Sequence, residues 1–247
     1  MVQAAVAVTQ WLAQADVGLQ RFGEYELDPA WNGVSIVWSQ AGRSLRAYGL
    51  TDHPNILGGV LAFALILLLA WLAAREDEPR HAPAAVTVQG VFLLGLAGLL
   101  LTFSRSAWLA FAAATALAAG LAVYAHRRRM LAGGVGLLLA GAIMLTPLVW
   151  RSLPYLGVRF NLNGSFEQVP YEKGSLGERA VLNQVANQLF VENGLIGVGL
   201  GAFPVALRVA RPDYPFTFQP PHLVILEAAA ETGVFGALFY ALAMSLP

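Results

Sequence analysis

Several polar residues able to do chemistry stand at the mouths of apolar runs in this 247-residue sequence. His222 follows Pro220-Pro221 in "QPPHLVILEAAAETG" and leads into a stretch that also carries Glu227 and Glu231. The stiff approach places the imidazole at a helix start, where the positive helix end disfavours imidazolium and leaves a neutral ring able to accept a proton. Such a ring suits a general base; an interfacial histidine with a structural hydrogen bond is the alternative. Glu227 and Glu231 share a helical face with each other and lie far around from His222. Each is an ionisable group inside an apolar run, hence either a site residue or one half of an interior polar pair.

Arginines supply the second element. Arg105 occupies the short junction "FSRS" (103–106) just where the next apolar run begins. A guanidinium at a helix N-terminus favours an anion, phosphate above all, whereas a snorkelling arginine anchoring a hairpin is the bland reading. Arg179, Asn183 and Asn187 recur every four residues in "GERAVLNQVANQ" and so line one ridge of a helix. Alone, Arg179 reads as a solvated surface residue; beside His222 and Arg105 it gains a purpose. In "RSLRAYGLTDHPNILGGV" (43–60), Arg46, His53 and Asn55 precede another apolar run, with Pro54 suited to a first helical turn. The histidines are scattered, so no metal-ligand spacing appears.

The elements that must hold these residues are membrane helices. Hydrophobic residues make up 57% of the chain and charged ones 12%, far from the balance of an ordinary soluble domain. The formal charge is zero, offering no basic field for nucleic acid, and the absence of cysteine removes disulfides and thiol chemistry. A span needs about 20 apolar helical residues. Runs of that kind are expected over 55–74, 84–103, 106–125, 130–150 and 223–246, within a single membrane domain covering 1–247. Residues 1–13 are apolar but short, and lack the marks of a signal peptide. Basic residues in "AREDEPRH" (74–81) and "AHRRRM" (125–130) put those loops inside the cell, so "FSRS" and residues 151–221 are expected outside. That outer segment is too long for a plain connector. Within it Ser175 and Glu178 stand at capping-box spacing, and Leu182, Val185, Ala186, Leu189 and Phe190 form an apolar stripe ending at Asn193-Gly194. The glycine-rich "GLIGVGLGAFP" that follows matches no phosphate loop.

Taken in order, "RAYGLTDHPNILGG", "LLLTFSRSAWLAF", "GERAVLNQ…ENGLIGVGLGAFP" and "PPHLVILEAAAETGVFG" resemble the O-antigen ligase and O-antigen polymerase superfamily, over about residues 40 to 245. The chain looks like the C-terminal half of such a protein. Leu223 departs from the asparagine that many members carry after the histidine, which leaves ligase or polymerase open. The resemblance implies an all-α, GT-C-like helical bundle with a large, partly helical periplasmic loop in the bacterial inner membrane. It implies a donor glycan on undecaprenyl diphosphate and an acceptor hydroxyl on a glycan, lipid A–core or protein, with no cofactor or metal. Arg105 and Arg179 then match the family's diphosphate-binding arginines, and His222 its histidine base. Arg46, His53, Asn55, Asn183 and Glu227 are weaker candidates for lining the cleft. A protein O-oligosaccharyltransferase would use the same residues. A transporter would need polar residues through the depth of several spans, and 84–103 and 130–150 are nearly bare of them.

Overall fold

The computed structural model describes residues 1–74, 82–162, 170–215 and 218–245. Residues 75–81 of the loop expected inside the cell therefore lie outside the described residues, as does the side chain of Ser175. The chain forms two compact units, Met1–Ser165 and Phe166–Pro247. Both are helical, and the protein is an all-α membrane protein with one small hairpin as its described sheet.

The first unit opens with α1 (Val2–Ala13), followed by a 3₁₀ turn at Gln20–Phe22 and a hairpin of β1 (Ile36–Ser39) with β2 (Gly42–Leu45). The strands are antiparallel, with Ile36 opposite Leu45 and Ser39 opposite Gly42. Gly42 takes φ +107° at the turn, a conformation that favours glycine. α1 is joined to the segments on either side of the hairpin through buried Gln10. Its Nε2 donates to Glu24 and to the Gly49 carbonyl, and its Oε1 accepts from the N–H groups of Tyr48 and Gly49. A fully bonded amide of this kind is tolerated in a core, because no polar atom is left stranded.

Next come α2 (Pro54–Ala74), α3 (Ala82–Leu101), α4 (Arg105–Tyr124), α5 (Arg128–Met144) and α6 (Thr146–Arg159). α2 packs on α3 and α4, and Gly58 makes that approach possible: a Cβ there would fall 2.9 Å from the Ala107 Cβ. The run expected over 130–150 is not one straight helix but part of two that meet at a bend of 72° near Leu145, the geometry of a broken span or of a re-entrant loop. Among the described residues, Pro54–Leu72, Arg105–Tyr124 and Val224–Ser245 are long and apolar enough to cross singly.

The second unit contains α7 (Pro170–Glu192), α8 (Phe203–Ala210) and α9 (Val224–Ser245). α7 starts at Pro170, upstream of Ser175, so the Ser175–Glu178 pair does not mark its beginning. The apolar stripe of α7 forms the centre of this unit: Leu182, Val185, Ala186 and Leu189 pack with Phe203, Leu207, Tyr214 and Ala230. α9 is continuous in sequence but broken in geometry, because Gly233 adopts φ +70° inside it.

Candidate functional site

In the first unit the arginines converge on the turn between α3 and α4. Phe103 takes φ +48°, a conformation uncommon for a residue with a Cβ, and the turn exposes carbonyls that need donors. Arg46, 6% exposed, donates from Nε to the Thr102 carbonyl at 2.8 Å and from Nη2 to Asn55 Oδ1 at 2.6 Å. Arg159 reaches the same turn, donating to the Phe103 carbonyl from Nε at 3.0 Å and Nη2 at 2.7 Å. Its own carbonyl accepts from Arg105 Nη1 at 3.1 Å. Arg105, half-buried, is the first residue of α4, and its N-cap Ser104 makes no side-chain capping bond. His53 accepts the Asn55 N–H at Nδ1, which puts the proton of the neutral ring on Nε2, facing the Ser35 hydroxyl at 3.1 Å. The structure thus brings Arg46, His53 and Asn55 together at the start of α2, bonded to one another's neighbourhood and to the turn that carries Arg105.

One helical turn beyond Arg105, Trp108 stacks on Phe160 with ring centroids 5.5 Å apart. Both line an apolar cleft of about 390 Å³, together with Leu99, Phe111, Leu145 and Leu156. The bend at Leu145 opens this cleft, since an unbroken α5–α6 would carry Leu156 away from Leu99.

The second unit gathers a different set. α7 presents Glu178, half-buried, and Arg179, exposed, at adjacent positions. Glu178 accepts from Gln219 Nε2 at 2.9 Å and from the Tyr214 hydroxyl at 3.4 Å. Burial, then the Glu178 charge and its hydrogen bond, push the Tyr214 hydroxyl up to about 12, so it remains a donor. Gln219 enters Pro220-Pro221, and the next residue is His222, exposed at a bend just before α9. Partial desolvation holds His222 below the usual histidine range, Arg179 lowers it further, and Glu178 opposes. The imidazole is therefore neutral at neutral pH and within electrostatic reach of the arginine.

Along the same ridge Asn183 is half-buried, and its Oδ1 is buried with no hydrogen-bond partner among the described residues. Glu227 sits in the first turn of α9, half-buried. Glu231 is occupied by the chain itself, accepting the N–H groups of Gly201 at 2.8 Å and Phe203 at 3.0 Å. Among the described residues no three His, Asp or Glu side chains gather as a metal ion would require.

Three members of these clusters carry no local sequence signal. Tyr214 and Gln219 meet Glu178 from 36 and 41 residues away, and Arg159 ends a helix with nothing in its spacing to tie it to Phe103.

A family model described as O-antigen ligase matches residues 90–241, well over half of the chain. The match takes in Arg105, Arg179 and His222, and begins after Arg46, His53 and Asn55. Comparison with curated proteins and with solved structures finds no match. With its apolar helices, its exposed arginine beside a neutral histidine and the family match over both units, the chain belongs to the O-antigen ligase family and is a multi-pass membrane protein of glycosyltransferase type.

Proposed function

We propose that the protein transfers a glycan from undecaprenyl diphosphate to an acceptor hydroxyl at the periplasmic face of the inner membrane, with His222 as general base and Arg179 on the leaving diphosphate. The acceptor oxygen bonds to the anomeric carbon as the bond from that carbon to the diphosphate oxygen breaks. The hydroxyl proton passes to the neutral imidazole, and undecaprenyl diphosphate departs with the bonding pair. A positioned base of this kind contributes about 10²–10⁴-fold. A guanidinium aimed at the oxygens that gain charge stabilises the same transition state, and its planar fork suits a phosphate.

The observation that carries this reading is the pairing in the second unit: an exposed arginine beside a histidine kept neutral by partial desolvation and by that same arginine. Asn183, with its unbonded Oδ1, is proposed to accept a hydrogen bond from a hydroxyl of the glycan, and Glu227, in the first turn of α9, to meet another part of the substrate. In the first unit, Arg105 is proposed as a phosphate ligand on its own geometry, at the first turn of α4 and one turn from the apolar cleft, which suits a prenyl chain. Arg46, His53 and Asn55 serve by bracing the turn that carries Arg105.

The test is transfer by the full-length protein reconstituted with lipid-linked donor and scored on glycan, lipid A–core and peptide acceptors. His222→Ala is expected to bind donor normally and to lose transfer with every acceptor the parent uses. Full transfer by that variant would overturn the base assignment.

A further inference from the structure

Residues 194–207, "GLIGVGLGAFPVAL", contain no polar side chain, although they fall within the stretch expected outside the membrane. An apolar run of about 10–14 residues is too short to cross a bilayer and suits a re-entrant or interfacial segment. Several of their side chains are turned outward while Phe203 and Leu207 pack in the core of the unit: Leu195, Ile196 and Leu200 are 68%, 81% and 87% exposed, and Val205 is exposed as well. In water that surface would be unfavourable, at roughly 25 cal/mol for each Å² of apolar area.

The backbone shows where this segment belongs. It is bonded to the interior of α9, which is long and apolar enough to span. Val198 N–H donates to the Ala230 carbonyl and Gly199 N–H to the Glu231 carbonyl, each at 2.9 Å, and Val234 N–H donates to the Gly194 carbonyl at 2.8 Å. These are the groups that the break at Gly233 frees from helical bonding. Gly197 and Ala202 donate to Asn193 and Gly199, and Gly201 and Phe203 donate to the Glu231 carboxylate. Non-helical backbone is tolerated at membrane depth only when its polar groups are satisfied by protein, which is the arrangement seen here. The crossing is tight: a Cβ on Gly197 would lie 2.3 Å from the Glu231 carbonyl, and one on Gly233 2.3 Å from the Leu195 carbonyl oxygen. Glu231 lies eight residues past Leu223, about 12 Å along a helix axis and so inside the hydrocarbon if α9 enters at His222.

We propose that residues 194–207 form a re-entrant segment that dips into the bilayer beside the broken helix α9, with Leu195, Ile196 and Leu200 facing acyl chains and the Glu231 carboxylate closing the turn. The occupant of this exposed apolar face is lipid, continuous with the outward Phe235, Leu238 and Phe239 of α9.

These 247 residues contain no cysteine, and any cysteine elsewhere in the full-length protein is replaced by serine, so single introduced cysteines report directly. Spin labels on Leu195→Cys, Ile196→Cys and Leu200→Cys, in the full-length protein in liposomes, are compared with Leu238→Cys as the lipid reference and Asp213→Cys as the aqueous one. The expected result is that all three loop positions are relaxed by oxygen and not by a water-soluble nickel chelate, as at 238, and resist an impermeant maleimide. Relaxation by the nickel chelate with ready maleimide reaction, as at 213, would overturn the proposal. Shielding from both relaxers, the mark of a covering protein, would overturn it too. The three side chains are exposed, so each substitution removes little packing, and agreement among positions guards against one misfolded variant.

Discussion

The two units use arginine in opposite ways. At the α3–α4 turn, Arg46 and Arg159 are nearly buried and donate to main-chain carbonyls of Thr102 and Phe103. On α7, Arg179 is exposed, with a histidine in electrostatic reach and a carboxylate held at the adjacent position. An arginine that satisfies its own backbone fixes shape; an exposed one, with the neighbouring charge already pinned elsewhere, is available to a ligand. Residue type alone does not separate these uses, since both involve arginines on or next to helices of an apolar chain. What separates them is the acceptor: a carbonyl left stranded by a turn in the first unit, and a substrate phosphate, as proposed, in the second.

Substitutions should divide along the same line. The largest effect expected is on His222→Ala, with a loss of about 10²–10⁴-fold in kcat and little change in thermal stability, because the side chain is exposed. Arg159→Met should do the reverse. It strands the Phe103 carbonyl, a cost of about 1–3 kcal/mol, and should lower the melting temperature in detergent. Any fall in its activity should track the fraction of protein unfolded. A stable but inactive Arg159→Met protein would break the comparison, by making Arg159 a ligand group instead of a brace.

Arg179→Lys comes next. The charge is kept and the fork is lost, so kcat/KM for the lipid-linked donor should fall about tenfold, equivalent to roughly 1.4 kcal/mol, at unchanged stability. Unchanged turnover would return Arg179 to an ordinary surface residue and leave the second unit without an arginine for the diphosphate.

The sequence shows some of this and hides the rest for identifiable reasons. The α7 stripe is legible because Leu182, Val185, Ala186 and Leu189 recur at helical period, and the same residues form the core of the second unit. The spans are legible because lipid demands long apolar runs. The break in α9 is not, since Thr232-Gly233 sits inside an apolar stretch and is held open by bonds from residues 194–199, far along the chain. Glu231 reads as a possible site residue for the same reason: its partners are backbone N–H groups of Gly201 and Phe203, which no side-chain pattern announces. The Tyr214 and Gln219 bonds to Glu178 are likewise set by tertiary folding. Arg105 and His222 could be singled out because each stands where a helix begins, and Arg179 by its company with them in the ordered motifs, but their partners could not.

The smallest effect expected is also the sharpest test of how the second unit is tuned. Two charges on α7 act on His222 with opposite sign, Arg179 lowering its pKa and Glu178 raising it, on top of partial desolvation. Tyr214 and Gln219 hold the Glu178 carboxylate, and the neutral tyrosine adds no charge of its own. As a base His222 works unprotonated, so the acidic limb of kcat/KM against pH follows its pKa and lies below the ordinary histidine value of about 6.5. Glu178→Gln removes the charge that favours imidazolium, and the limb should move to lower pH while the neutral plateau stays near the parent's. Arg179→Gln removes the charge that opposes imidazolium, so its limb should move up, on a plateau already reduced by the lost phosphate contact. Tyr214→Phe keeps both charges and should leave the limb close to its parental position. Limbs that move together in the two charge variants, or a limb that ignores both, would mean that the titrating group is not His222.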